Sequence, residues 1–105
     1  MGKLKWTEKA SKNLQAVFDY ISKDSKVYAA RYVKALVNST KTLENMPRCG
    51  RTVPELDDAR FREVIYGNHR IVYRIIGADD GIEILAVIHG ARDVRGAFRE
   101  EWELS

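Results

Sequence analysis

The segment FREVIYGNHRIVYRII, residues 61–76, decides the fold. It holds two runs rich in β-branched and aromatic residues, FREVIY (61–66) and HRIVYRII (69–76), divided by Gly67-Asn68. Two such runs separated by two turn-forming residues read as a β-hairpin. Strand side chains alternate between faces, so Ile71, Tyr73 and Ile75 share one face of the second strand. Arg70, Val72, Arg74 and Ile76 share the other, and on the first strand Arg62 lies with Val64 and Tyr66. The apolar trio predicts a face that meets a helical layer, with Arg70 and Arg74 looking out from the opposite face.

Downstream, GADDG (77–81) is a turn and IEILAVIHG (82–90) a third strand, the most apolar of the three. Strict alternation along it places His89 with Glu83, Leu85 and Val87. Arg92 follows a few residues beyond the strand end. An open sheet face would then gather Arg62, Arg70, Arg74, His89 and Arg92. Such a face binds anions, and His89 is its one group able to move protons near neutral pH.

Upstream, Ala10, Leu14, Val17, Phe18 and Ile21 recur at helical spacing behind Thr7, a good N-cap. After a break at residues 22–25, with Asp24 or Ser25 as the next cap, Ala29, Val33, Leu36, Thr40 and Leu43 form the inner face of a second helix. Pro47 ends it, with Gly50 just beyond. The short connection predicts an antiparallel helical hairpin. KLKW (3–6) reads as a short first strand, and PRCGRTVPELDDAR (47–60) as a loop or extended lead-in. The tail VRGAFREEWEL predicts a short helix with Phe98 and Trp102 paired at i, i+4. The class is α+β, a helical hairpin packed on one face of a twisted, mainly antiparallel sheet of three to four strands.

The chain has 105 residues, which suits a single domain over 1–105, and its 45% hydrophobic and 31% charged residues describe a globular rather than a disordered chain. The formal net charge is +3, which favours anionic partners. All eight lysines lie at or before Lys41, whereas nine of the ten arginines lie at or after Arg48. The second half thus carries its positive charge only as guanidinium, which grips phosphate and carboxylate bidentately. A single cysteine, Cys49, excludes an intramolecular disulfide and suits a reducing cytosol. It also argues against a structural zinc site of the usual kinds. No apolar run approaches a membrane span and no secretory signal opens the chain, so a cytoplasmic protein is expected.

Plainer readings stand beside these. Arg70 fits a salt-bridged sheet position, His89 a structural histidine, Glu55 in VPEL a loop decoration, and Arg92 a surface pair with Asp93. Neither metal-ligand spacing nor a phosphate loop or nucleophile elbow occurs, so no cofactor or small-molecule substrate is expected. The residues alone lead to a small α+β domain with an arginine-rich sheet face.

The order of motifs goes further. KLKWTEKASKNLQAVFDYI, MPRCGRTVPEL, FREVIYGNHRIVYRI and IEILAVIHGARD together resemble the RelE/ParE superfamily of toxins over nearly the whole chain. The resemblance implies a type II toxin-antitoxin module, of the plasmid stabilisation kind, whose toxin is neutralised by a cognate antitoxin. RelE-like members are mRNA interferases that cut messenger RNA in the ribosomal A site; ParE-like members inhibit DNA gyrase. In the nuclease pattern Arg70 and Arg92 match arginines that hold the phosphate. Phe98 falls where a stacking tyrosine stands, and Phe61 and Glu63 fall near two lysines. A second nuclease subtype, similar to YoeB, implies Glu55, Arg70 and His89 as the catalytic set. Arg62, Arg74, Phe98 and Trp102 are then binding candidates. The missing lysines and the helical hairpin favour the ParE-like branch.

Overall fold

The computed structural model describes residues 3–91. In chain order the elements are β1 (Leu4–Trp6), α1 (Glu8–Ser22), α2 (Lys26–Ser39), a 3₁₀ turn (Thr40–Glu44), β2 (Arg51–Thr52), β3 (Phe61–Tyr66), β4 (His69–Ile76) and β5 (Gly81–His89). They form one five-stranded sheet in the order β1-β5-β4-β3-β2, with both helices on one face. The pairing of β1 with β5 is parallel and every other pairing is antiparallel. The fifth strand beyond the expected count is β2, a two-residue rung inside the segment read as a lead-in.

Local chemistry sets the helix starts. Thr7 Oγ1 accepts the Ala10 N–H at 3.1 Å and donates to the Ile84 carbonyl at 2.9 Å. One hydroxyl therefore caps α1 and fastens its first turn to β5. Ser25 Oγ accepts the Tyr28 N–H at 3.1 Å and caps α2. The apolar pattern carries the second helix through Thr40 and Leu43, but α2 ends at Ser39. Ser39 Oγ donates to the Leu36 carbonyl at 2.6 Å and Thr40 Oγ1 to the Val37 carbonyl at 2.7 Å. Hydroxyls drawing on late carbonyls bend the chain, and the backbone tightens into the 3₁₀ turn. Thr40 and Leu43 remain buried there.

The hairpin of β3 and β4 forms as expected, with Gly67 at φ +56° in its two-residue turn, a conformation open to glycine without strain. Ile71 and Tyr73 lie fully buried against the helical layer with Leu36, Ile82 and Ile84, and Ile75 packs at its rim.

β5 departs from strict alternation. Val72 pairs with Ala86 but Tyr73 with Ile84, so Leu85 is an extra residue in a β-bulge. The bulge inverts everything C-terminal to it: Leu85, Ala86 and Ile88 all join the apolar cluster on the face away from the helices, while Val87 joins the helical core. His89 is thereby carried to the helix side, directly opposite His69. The far face is covered rather than open. Val53, Phe61 and Leu56 pack over Val72, Leu85 and Ile88.

Among the described residues no helix is long and apolar enough to cross a membrane.

Candidate functional site

β4 presents Arg70 on the covered face, between Ile65 of β3 and Ile88 of β5. Its relative exposure is 5%. The guanidinium is clamped by two carboxylates: Nε donates to Glu63 Oε1 at 2.7 Å, and Nη1 and Nη2 donate to the two oxygens of Glu55 at 2.6 Å each. Glu63 is itself buried, and its other oxygen accepts from Arg51 Nε at 2.6 Å. Planar guanidinium and carboxylate match in this two-point geometry, which offsets the cost of burying the charges. Hydrogen bonding to Glu55, and then to Glu63, outweighs burial and holds Arg70 above the ordinary arginine range. The sequence therefore does bring Glu55 and Arg70 together, but as a sealed ion cluster in which the arginine's donors already face carboxylates.

Arg74 stands on the same face and donates through Nε to Glu83 Oε1, its cross-strand partner, at 2.7 Å. Arg62 does not join this face. It is paired with Tyr73 in the sheet, on the helix side, and its Nη1 donates to the carbonyls of Gly50 at 2.9 Å and Arg48 at 3.4 Å. The expected gathering of Arg62, Arg70, Arg74 and His89 on one open surface is thus corrected twice, since β3 turns Arg62 away and the β5 bulge turns His89 away. Arg92, Phe98 and Trp102 lie outside the described residues.

A second cluster occupies the end of β4 and β5 nearest the helices. His69 Nδ1 lies 2.8 Å from Tyr32 Oη of α2, and that hydroxyl donates to the Tyr66 carbonyl at 3.2 Å. The His69 and His89 rings meet edge to face with centroids 6.1 Å apart. Tyr32, His69 and His89 line a cleft of about 600 Å³ between the helical hairpin and the sheet, together with Tyr20 and Tyr28. Sequence reading passed over His69 and Tyr32, although the alternation that assigned Ile71 and Tyr73 to the helix side assigns His69 there too.

Burial, reinforced by His89, pushes the His69 imidazole below its ordinary value of 6.5. As pH falls through about 6.5 the unfolded chain takes up a proton that folded His69 still refuses. The stability this group contributes is therefore complete above about 6.5 and declines below it, down to the depressed folded value. Thermal midpoints measured between about pH 7.5 and 5.5 should fall on acidification, and a His69→Gln protein should show a shallower fall. Parallel curves for the two proteins would refute this.

With this geometry in place, relatives can be compared. The family model of the ParE toxin of the type II toxin-antitoxin system parDE matches residues 4–94. Among solved structures, the chromosomal ParDE toxin-antitoxin system from P. aeruginosa aligns at 26% identity and TM-score 0.70, covering 85% of this chain and 96% of that one. The RelBE2 toxin-antitoxin complex from Mycobacterium tuberculosis aligns at 21% identity and TM-score 0.60, covering 84% and 96%. A mutant E. coli toxin RelE in complex with an antitoxin RelBc peptide aligns at 14% identity and TM-score 0.60, covering 97% and 96%. These last two are likenesses of fold. No curated protein matches the chain significantly. A helical hairpin on an antiparallel core sheet, matched by one family model from the first strand to just past the last, leads to one assignment: the chain belongs to the ParE toxin family of type II toxin-antitoxin systems.

Proposed function

We propose that the chain is a non-enzymatic toxin that poisons DNA gyrase by binding it, and that a cognate antitoxin neutralises it. The observation that carries this reading is the sealed Arg70. RNA cleavage at a sheet face needs a cation free to hold the scissile phosphate and a proton-transfer group beside it. Arg70 is instead clamped between Glu55 and Glu63, and His89 lies on the opposite face of the sheet. Glu63 also sets a buried carboxylate near where the nuclease branch carries lysine, and a carboxylate repels phosphate. Membership of the ParE family supports the same choice. The net charge of +3 favours an acidic antitoxin, in keeping with the toxin-antitoxin composition of the similar structures.

The test is a supercoiling assay with purified toxin and gyrase. Added toxin should block supercoiling or trap cleaved DNA, and prior addition of the antitoxin should restore activity. Gyrase left unaffected at high toxin excess, together with toxin-dependent A-site cuts in primer extension on translated mRNA, would transfer the chain to the RelE-like mRNA interferase branch.

A further inference from the structure

We propose that His69 and His89 form a chelating site for a borderline divalent transition cation such as Zn²⁺, Ni²⁺ or Cu²⁺, at the floor of the cleft. The reading is independent of the gyrase proposal. It begins with the sheet register. His69 and His89 are direct cross-strand partners, and the Gly90 N–H donates to the Asn68 carbonyl at 2.7 Å immediately outside them. That bond joins the residues flanking the pair, so His69 and His89 occupy a non-hydrogen-bonded position. There opposed Cα atoms approach to about 4.5 Å and side chains lie closest. The Leu85 bulge is what puts both rings on one face.

The nitrogens are arranged to match. Tyr32 has a single hydroxyl proton. Given to the Tyr66 carbonyl, it leaves Oη to accept from His69 Nδ1–H at 2.8 Å, and the lone pair of His69 then sits on Nε2. Fixing one ring nitrogen by an outer hydrogen bond so that the other can ligate is the usual support for a metal-bound histidine. His89 Nδ1 accepts the Ala91 N–H at 3.3 Å, a long contact on an exposed side chain. Capture of an ion by His89 Nε2 moves that ring's proton to Nδ1 and gives up this contact. Both rings line the cleft, and among the described residues neither Nε2 has a hydrogen-bond partner.

The cleft lining selects the class of ion. Among the described residues it contains no carboxylate and, besides the histidines, offers Asn13, Asn68 and tyrosines. Two imidazoles without carboxylates suit zinc, nickel and copper and not magnesium or calcium, which demand several hard oxygen ligands. Water fills the remaining positions, which face the open cleft.

The test is titration of the untagged protein with Zn²⁺ against a chromophoric zinc indicator, in a Cys49→Ser background that removes the one thiol. One ion should bind per chain, with copper tighter and magnesium without effect. His69→Asn and His89→Asn should each weaken binding by at least about tenfold, and Tyr32→Phe should do so by about tenfold through its hold on His69. Bound zinc should also raise the thermal midpoint of the parent but not of His89→Asn. Melting in chelator establishes that each variant is folded; should His69→Asn fail to fold, the exposed His89 decides the matter. Zinc affinity unchanged in His89→Asn, or no saturable binding by the parent, would overturn the proposal.

Discussion

Arg70→Ala should destabilise the fold by about 3–5 kcal/mol, because it leaves a buried carboxylate without its main partner. The Glu63 side chain has no solvent exposure, and after the substitution the cation left to it among the described residues is Arg51, whose side chain is 62% exposed. Glu55 loses the guanidinium that holds its loop against the sheet. A loss of this size is a large share of the roughly 5–15 kcal/mol that stabilises a typical domain, so growth inhibition should disappear with it. The control is the double variant Arg70→Met, Glu63→Leu. Apolar side chains of similar volume often replace a buried ion pair with little loss, so this protein should recover most of the stability. Denaturant midpoints and toxicity on induction, measured for all three chains, divide the possibilities. If Arg70 is structural, the double variant regains stability and toxicity together. An Arg70→Ala protein with parental stability and no toxicity would instead make Arg70 a functional arginine and remove the main support for a non-nuclease toxin.

That clamp also marks where the sequence stopped being legible. β3 and β4 are readable to the residue because each alternates β-branched and aromatic residues around a two-residue turn, a pattern with one solution. The face of Arg70 was legible for the same reason. Its burial was not, because what covers it is the segment from Val53 to Phe61, an aperiodic stretch in which Glu55 and Leu56 carry no strand or helix signal. In β5 the residues Ile84 to Ile88 are all apolar, so the run fits either face and nothing in it marks Leu85 as the extra residue. One inserted residue reverses every side chain after it, which is why His89 was expected among the arginines and is found beside His69. The contact between Tyr32 and His69 joins α2 to β4, and the two periodicities were legible separately while their relative rotation was not.

Gly50→Ala should be the second severe lesion, at about 3 kcal/mol, and its cause is space. A Cβ at Gly50 would lie 2.6 Å from the Glu63 carbonyl oxygen, 2.6 Å from Tyr73 Oη and 2.8 Å from Tyr73 Cε1. The first is backbone of β3 and the others belong to a fully buried ring, so no flexible side-chain end can yield. Relief requires β2 to move off β3 or the ring to leave its place. Either movement breaks a chain of bonds in which the Gly50 N–H donates to Tyr73 Oη at 3.0 Å and Oη donates to the Pro47 carbonyl at 2.7 Å. It also draws Arg51 away from Glu63 and so loosens the clamp on Arg70 from its far side. Tyr73→Phe alone should cost about 1–3 kcal/mol, since it strands the Gly50 N–H and the Pro47 carbonyl without overlap. In the double variant Gly50→Ala, Tyr73→Phe the hydroxyl overlap is gone but the ring carbon and the backbone oxygen remain. Its loss should therefore exceed either single loss and fall short of their sum, a coupling that denaturant unfolding of the four proteins measures directly. A Gly50→Ala midpoint within about 0.5 kcal/mol of the parent would mean that β2 is free to shift, and that the Arg51 side of the clamp does not depend on it.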